Sequence, residues 1–107
     1  EILRCLVGSE MCIRDRDSMM STPVIACCFE GIEAVNVVRA MAGATNGRNA
    51  LPGTIRGDYC MSNQQNIVHT SDSLENAKIE LARFFKPEEI FEYESSNLGY
   101  LYALDEL

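Results

Sequence analysis

Only two segments of this chain have the character of β-strands, and this shortage constrains its fold more than any other feature. Residues 23–29 form a continuous apolar run before Gly31, which is typical of a strand covered on both faces. Residues 66–69 form a second, shorter strand-like segment. Because an isolated two-stranded sheet is marginally stable in water, this unit needs partner strands that the sequence does not obviously contain.

Two helices are predicted, one after each of these strands. Apolar residues recur at helical spacing from Ile32, and Gly43 supplies a stop for that helix. Asp72 and Glu75 have the spacing of a capping box, and a second apolar face follows them. Residues 86–89 predict one more helical turn, with a proline at its first position. The order strand, helix, loop, strand, helix indicates an α/β (α+β) fold.

The loop between the first predicted helix and the second predicted strand is long, and three arginines lie in it or just before it. Residues 44–62 hold enough glycine, proline and asparagine to break any regular period, and a long loop in a compact domain is usually functional. These arginines are Arg39, Arg48 and Arg56. Together they indicate an anion site, because one guanidinium group can bind two phosphate oxygens at once. Surface ion pairs with neighbouring acidic residues are an equally good interpretation of these arginines.

Charge and cysteine content exclude several classes of function. With 9 basic and 16 acidic residues the formal net charge is -7, which argues against nonspecific binding to nucleic acid or to a membrane surface. No apolar run approaches the ~20 residues of a membrane span, so we expect a soluble, cytoplasmic protein. The five cysteines contain no Cys-x-x-Cys pair, which predicts neither a disulfide framework nor a protein-held metal.

The single histidine, His69, is the strongest candidate for chemistry. It ends the second predicted strand, and Glu80 lies on the helix that follows, where its carboxylate could turn back to orient the imidazole. On position and spacing alone, an ordinary structural or solvated side chain is the favoured interpretation of both residues.

These motifs together resemble the nucleoside diphosphate kinase family. The sequences PGTIRGDY at residues 52–59 and NIVHTSDS at residues 66–73 carry most of the resemblance, and FKPEE at residues 85–89 extends it. The resemblance covers about residues 20–93, and its motifs are highly specific in combination.

The resemblance also implies a fold and a division of the chain. The family fold is a ferredoxin-like βαββαβ sandwich, of which this sequence contains only the second β-α-β half and a C-terminal segment. Residues 20–107 are therefore expected to form a partial domain of that family. Residues 1–19 are expected to be a non-native or unstructured leader, because residues 1–16 resemble translated sequencing-adapter sequence.

The function implied by the resemblance is phosphoryl transfer. Members move the γ-phosphoryl group of a nucleoside triphosphate such as ATP to a nucleoside diphosphate through a phosphohistidine intermediate. By this resemblance His69 is the phosphorylated nucleophile, and Glu80 and Ser71 orient its imidazole. The residues that match the family's nucleotide-binding positions are Arg39, Thr45, Arg56 and Asn66. Mg²⁺ would arrive on the nucleotide phosphates, and the full-length parent would be a homo-oligomer.

Two residues depart from the family pattern. Thr70 stands where the family usually has a glycine after the histidine, and Gly47 replaces a proline, which is expected to loosen that loop. These departures favour an alternative, a noncatalytic relative that binds nucleotides or partners through the same fold. The family's opening strand, helix and strand have no counterpart in this sequence, so we expect impaired activity.

Overall fold

The computed structural model describes residues 20–103, 105 and 106. Its helices are α1 (Ala34–Ala42), α2 (Ile55–Tyr59), α3 (Leu74–Phe84) and α4 (Leu98–Leu101), and short 3-10 turns lie at Gly47–Asn49 and Pro87–Glu89. α2 packs against α1 and against the first of these turns. The leader predicted for residues 1–19 lies outside the described residues.

The two predicted strands are not formed in the described part of the chain. Residues 23–29 and 66–69 are irregular there, and they do not pair with each other. A strand is stable only beside a neighbour that exchanges backbone hydrogen bonds with it, and neither segment has one. The apolar side chains of the first segment are exposed, Ile25 to 92%. The expected β-α-β arrangement is therefore absent from these residues, although both helices that belong to it are present.

α1 ends where the sequence predicts. Gly43 follows its last residue with φ 86°, a positive value that glycine adopts without steric penalty, and its N–H donates to the Arg39 carbonyl at 3.0 Å. Ala42 is fully buried at the end of this helix, but its apolar stripe is only partly covered, because Met41 is 60% exposed. This cap directs the chain from the end of α1 into residues 44–62.

The predicted loop over residues 44–62 contains a short helix that the sequence analysis missed. α2 begins after its N-cap Thr54, whose hydroxyl accepts a hydrogen bond from the Gly57 amide at 3.0 Å and donates one to the Leu51 carbonyl at 2.6 Å. Gly57 packs so closely here that a Cβ on it would lie 2.7 Å from the Leu51 carbonyl carbon. Five residues are too few to show a helical period, so the cap alone signals this helix.

Gly47 lies very close to a neighbouring backbone segment of this loop. Gly47 is buried against Cys60, and a Cβ on it would lie 2.6 Å from the Cys60 carbonyl carbon. Beside it, the Asn46 side chain caps the 3-10 turn by accepting a hydrogen bond from the Arg48 amide at 3.2 Å. The missing side chain allows this close approach of two backbone segments, and the looser loop expected from glycine in place of proline stays a prediction.

α3 begins one residue later than the predicted cap. Its N-cap is Ser73, whose hydroxyl accepts a hydrogen bond from the Asn76 amide at 3.1 Å, whereas the Asp72 carboxylate accepts one from the Asn76 side chain. The predicted apolar face is only partly covered, because Leu74 is 62% exposed. Glu80 is half-buried on the inward side of this helix.

The helical turn predicted after α3 is confirmed. Pro87 opens a 3-10 turn that ends at Glu89, and the Glu89 carboxylate accepts a hydrogen bond from the Lys86 amide at 2.7 Å. Proline suits the first position because its missing N–H would have no partner there.

The buried core of the described residues is small. Ala42 and Cys60 are its buried apolar side chains, and Arg56 is buried with them, with 7% of its surface exposed. Many large apolar side chains outside this core are exposed, Tyr59 and Phe91 among them. The packed part of the molecule is therefore the junction of α1, α2 and the segment that follows α2.

Candidate functional site

A cavity of about 260 Å³ opens at this junction. Five of the seven residues that the family resemblance singles out line its wall: Arg39, Thr45, Arg56, Asn66 and His69. They come from the last turn of α1, the chain after Gly43, α2 and the segment before α3. The fold therefore gathers residues that lie up to thirty positions apart in the sequence around one opening.

Two arginines give this cavity its charge. Arg56 is buried and Arg39 is exposed at the same wall, whereas Arg48, which the sequence analysis grouped with them, does not line the cavity. Burial lowers the pKa of the Arg56 guanidinium, and the nearby Arg39 cation lowers it further although Cys60 opposes this. Arginine nevertheless remains protonated in proteins. Two cations that share one cavity repel each other, and an anion between them would relieve that repulsion.

The Arg56 guanidinium is held by three backbone carbonyls. Its Nε donates to the Asn66 carbonyl at 3.3 Å, and one terminal nitrogen donates to the Gly43 carbonyl at 2.7 Å. The other terminal nitrogen donates to the Val68 carbonyl at 2.7 Å. A guanidinium carries five N–H groups, so one N–H on each terminal nitrogen is left over after these bonds.

The backbone turns sharply between Asn66 and Val68. The Val68 amide donates to the Asn66 carbonyl at 2.7 Å, which closes a γ-turn around Ile67. Ile67 has φ 59°, in the left-handed region that a β-branched residue rarely enters. The sequence does not predict this turn, because an isoleucine between asparagine and valine is typical of an extended strand.

After this turn, the His69 imidazole is hydrogen-bonded to the carboxylate of Glu80. The imidazole Nε2 lies 3.2 Å and 3.1 Å from the two carboxylate oxygens of Glu80. The Ser71 hydroxyl donates to one of these oxygens at 2.5 Å, so the three side chains form a continuous chain of hydrogen bonds. The Glu80 carboxylate accepts a hydrogen bond from the Nε2–H group, which keeps the ring proton on Nε2 and leaves the Nδ1 lone pair available. The His69 side chain is 55% exposed at the cavity, whereas that of Glu80 is 12% exposed.

The hydrogen bonds to Glu80 control its ionisation. Burial of the carboxylate acts to raise its pKa, but the hydrogen bonds from Ser71 and His69 outweigh burial and lower the pKa of Glu80 below its ordinary value. The ionised form therefore persists at pH values where an exposed glutamate is half protonated.

This lowered pKa predicts how stability depends on pH. A carboxyl whose pKa is lower in the folded state stabilises that state above its ordinary pKa of 4.5, and the contribution is lost as the pH falls through the lowered value. We expect the difference in unfolding free energy between the native chain and Glu80→Gln to shrink as the pH falls below 4.5. Urea unfolding at a series of pH values measures it. A difference that has already disappeared at pH 6 would contradict the assignment.

Thr70 also lines the cavity, next to His69. Its side chain is half-buried, and none of the described residues forms a hydrogen bond with its hydroxyl.

Among the described residues no group of three or more histidine, cysteine, aspartate or glutamate side chains could hold a metal ion. No helix in the described ranges is long and apolar enough to cross a membrane.

Comparison with known proteins gives a consistent result. A family model described as nucleoside diphosphate kinase matches residues 11–90, so it begins before the boundary expected at residue 20. The nucleoside diphosphate kinase of Parabacteroides distasonis is 66% identical over 93 residues, which are 87% of this chain and 61% of that protein. The nucleoside diphosphate kinase of Brugia malayi is 49% identical over 84 residues, which are 78% of this chain and 55% of that protein.

A solved structure is similar as well. The crystal structure of a nucleoside diphosphate kinase family protein from Babesia bovis superposes with a TM-score of 0.66 at 41% identity, over 68% of this chain and 49% of that chain. The chain spans about half to three fifths of the length of the relatives that it matches.

Proposed function

The chain belongs to the nucleoside diphosphate kinase family, and from this premise we propose that its parent protein transfers the γ-phosphoryl group of a nucleoside triphosphate to a nucleoside diphosphate. One observation carries the proposal. At the mouth of a cavity lined by Arg39 and Arg56, the imidazole of His69 is held by Glu80 through Nε2. The alternative, a noncatalytic relative that binds nucleotides or partners, is not favoured, because the similar proteins of Parabacteroides distasonis and Brugia malayi are nucleoside diphosphate kinases.

His69 acts as the nucleophile in this proposal. Its Nδ1 lone pair attacks the γ-phosphorus, the N–P bond forms, and the bond to the β-phosphate oxygen breaks, so that a nucleoside diphosphate leaves. The second half of the reaction reverses these steps with another diphosphate. Phosphorylation makes the imidazole cationic, and the Glu80 carboxylate at 3.1 Å stabilises that cation.

The remaining cavity residues bind the nucleotide. Arg39 and Arg56 neutralise phosphate oxygens, the Thr45 hydroxyl donates a hydrogen bond to them, and Asn66 contacts the ribose. Phosphoryl transfer depends mainly on such positioning and charge neutralisation, which these side chains provide. Mg²⁺ would arrive on the nucleotide, where it would neutralise phosphate oxygens.

The surface supports two further proposals about the parent protein. Large apolar side chains are exposed on the described residues, among them Ile25 and Phe91, and further parts of the family domain or other copies of it would cover them. Cys27 and Cys28 are free and exposed thiols. Adjacent free thiols are typical of a reducing compartment such as the cytoplasm.

Labelling tests the proposal. The purified chain is incubated with γ-labelled ATP and Mg²⁺, and the label is tested for the acid lability and base stability of a phosphohistidine. We expect label on the native chain and none on His69→Ala, because His69 is the only histidine. Both proteins are first compared by circular dichroism. Equal label on His69→Ala would contradict the proposal, and a folded native chain without label would show that this chain does not transfer the phosphoryl group without the rest of the parent protein.

A further inference from the structure

Arg56 lines the cavity, but its guanidinium also donates hydrogen bonds to three backbone carbonyls. A side chain whose only role was to bind phosphate would keep its N–H groups for the ligand, yet three groups of the guanidinium are committed to carbonyls. Two of those carbonyls, Asn66 and Val68, flank a single residue, Ile67. The third belongs to Gly43 at the end of α1, so the guanidinium ties this short stretch to the helical part of the fold.

The residue between those two carbonyls is the strained one. Ile67 has φ 59°, and the γ-turn around it is closed by one hydrogen bond between its neighbours. A β-branched residue keeps such a conformation only where its surroundings hold it there. Within the described residues, Arg56 is the side chain that bonds to both sides of the turn.

We infer that Arg56 is a positioning residue, which holds Ile67 in the left-handed conformation so that the chain brings His69 against Glu80. This inference rests on the proposed function for its importance, but its geometry stands without it. The turn ends one residue before His69, so its relaxation to an extended backbone would redirect the imidazole away from the carboxylate. The two N–H groups that remain on the guanidinium stay available for a phosphate.

Lysine cannot replace arginine in this role. Its ammonium is a single nitrogen on a flexible stem, whereas the guanidinium presents three nitrogens in a rigid plane to three separate carbonyls. Arg56→Lys therefore keeps the positive charge of the cavity and loses the clamp on the turn. Glycine at position 67 adopts a positive φ without steric penalty, so Ile67→Gly removes the need for the clamp.

The single histidine makes the test direct, because one imidazole supplies all histidine signals in the nitrogen-15 NMR spectrum. In the native chain we expect the tautomer with the proton on Nε2 to dominate. In Arg56→Lys we expect a mixture of tautomers and at least a tenfold slower labelling of His69 by ATP. In Arg56→Lys combined with Ile67→Gly we expect the Nε2-protonated tautomer to return, with at least a fivefold recovery of labelling. Arg83→Lys on the exposed side of α3 is the matched control.

Each outcome decides the matter. Unchanged tautomers in Arg56→Lys, or no return of the native tautomer in the double variant, would overturn the inference and leave Arg56 as a phosphate ligand only. If Arg56→Lys unfolds, circular dichroism of the double variant decides instead, because regained ellipticity supports the clamp and a continued loss overturns it. If the tautomers behave as expected but ATP labels neither the native chain nor any variant, phosphoryl transfer by this chain fails and the positioning role stands.

Discussion

Replacing Glu80 by glutamine is expected to slow the phosphorylation of His69 by about 100-fold. The amide oxygen of glutamine can still accept a hydrogen bond from Nε2, but the negative charge that stabilises a cationic imidazole is lost. A hydrogen bond to a charged group contributes about 1.5–3 kcal/mol, and the upper part of that range corresponds to about 100-fold in rate. The initial rate of labelling by γ-labelled ATP measures the effect.

A matched variant separates this local effect from a general change of charge. Glu88→Gln removes the same charge from an exposed glutamate in the turn after α3, and we expect the native labelling rate from it. Equal rates for Glu80→Gln and the native chain would show that the contact at 3.1 Å has no role in the reaction.

The largest expected effect on stability comes from Gly57→Ala. A Cβ at this position would lie 2.7 Å from the Leu51 carbonyl carbon and 2.8 Å from the Thr54 hydroxyl oxygen, so the backbone must move to accept it. Forced packing of this kind costs about 1–3 kcal/mol, and we expect the upper end because the neighbour is backbone. The free energy of unfolding in urea measures the loss.

Gly99→Ala is the control for that measurement, since a Cβ on Gly99 would meet no atom within 4 Å. We expect its midpoint of unfolding to equal the native one or to lie slightly above it, because alanine favours helix over glycine. If both variants unfold at the same urea concentration, the close approach of Gly57 to residue 51 does not limit stability.

Local signals were sufficient to predict much of the fold. The apolar stripe before Gly43 predicts α1, and the acidic and hydroxyl residues near Ser73 predict the start of α3 to within one residue. Proline at position 87 predicts the turn that follows α3. These features depend on neighbours within one or two turns of helix, so the sequence around them contains all that is needed.

Features that depend on distant partners could not be predicted in this way. The apolar run over residues 23–29 has the composition of a strand, but a strand also needs a neighbour, and the described residues provide none. Ile67 favours an extended backbone by itself, and its left-handed conformation is accompanied by hydrogen bonds from Arg56, eleven residues earlier in the chain.

The sequence predicts which residues belong to the candidate site better than it predicts where they lie and what they bind. The spacing of His69 and Glu80 suggested that a carboxylate could turn back toward the imidazole, and the structure brings the two within hydrogen-bond distance. Spacing gave no indication that Arg48 would lie away from the cavity or that Arg56 would bind three carbonyls. Arg56 lies in α2, a helix without a periodic signal, and Arg48 lies in the short 3-10 turn before it.

The overlap of the small buried core with the cavity has a thermodynamic consequence. Arg56 belongs both to the core and to the cavity wall. A ligand that binds in the cavity therefore also stabilises the packed core of the described residues. Ligand binding and folding are then linked equilibria, and a ligand at about 100 times its dissociation constant adds about 2.7 kcal/mol to the stability of the folded state. The melting temperature of this chain would therefore report the occupancy of the cavity, rising with the concentration of whatever anion binds between the two arginines.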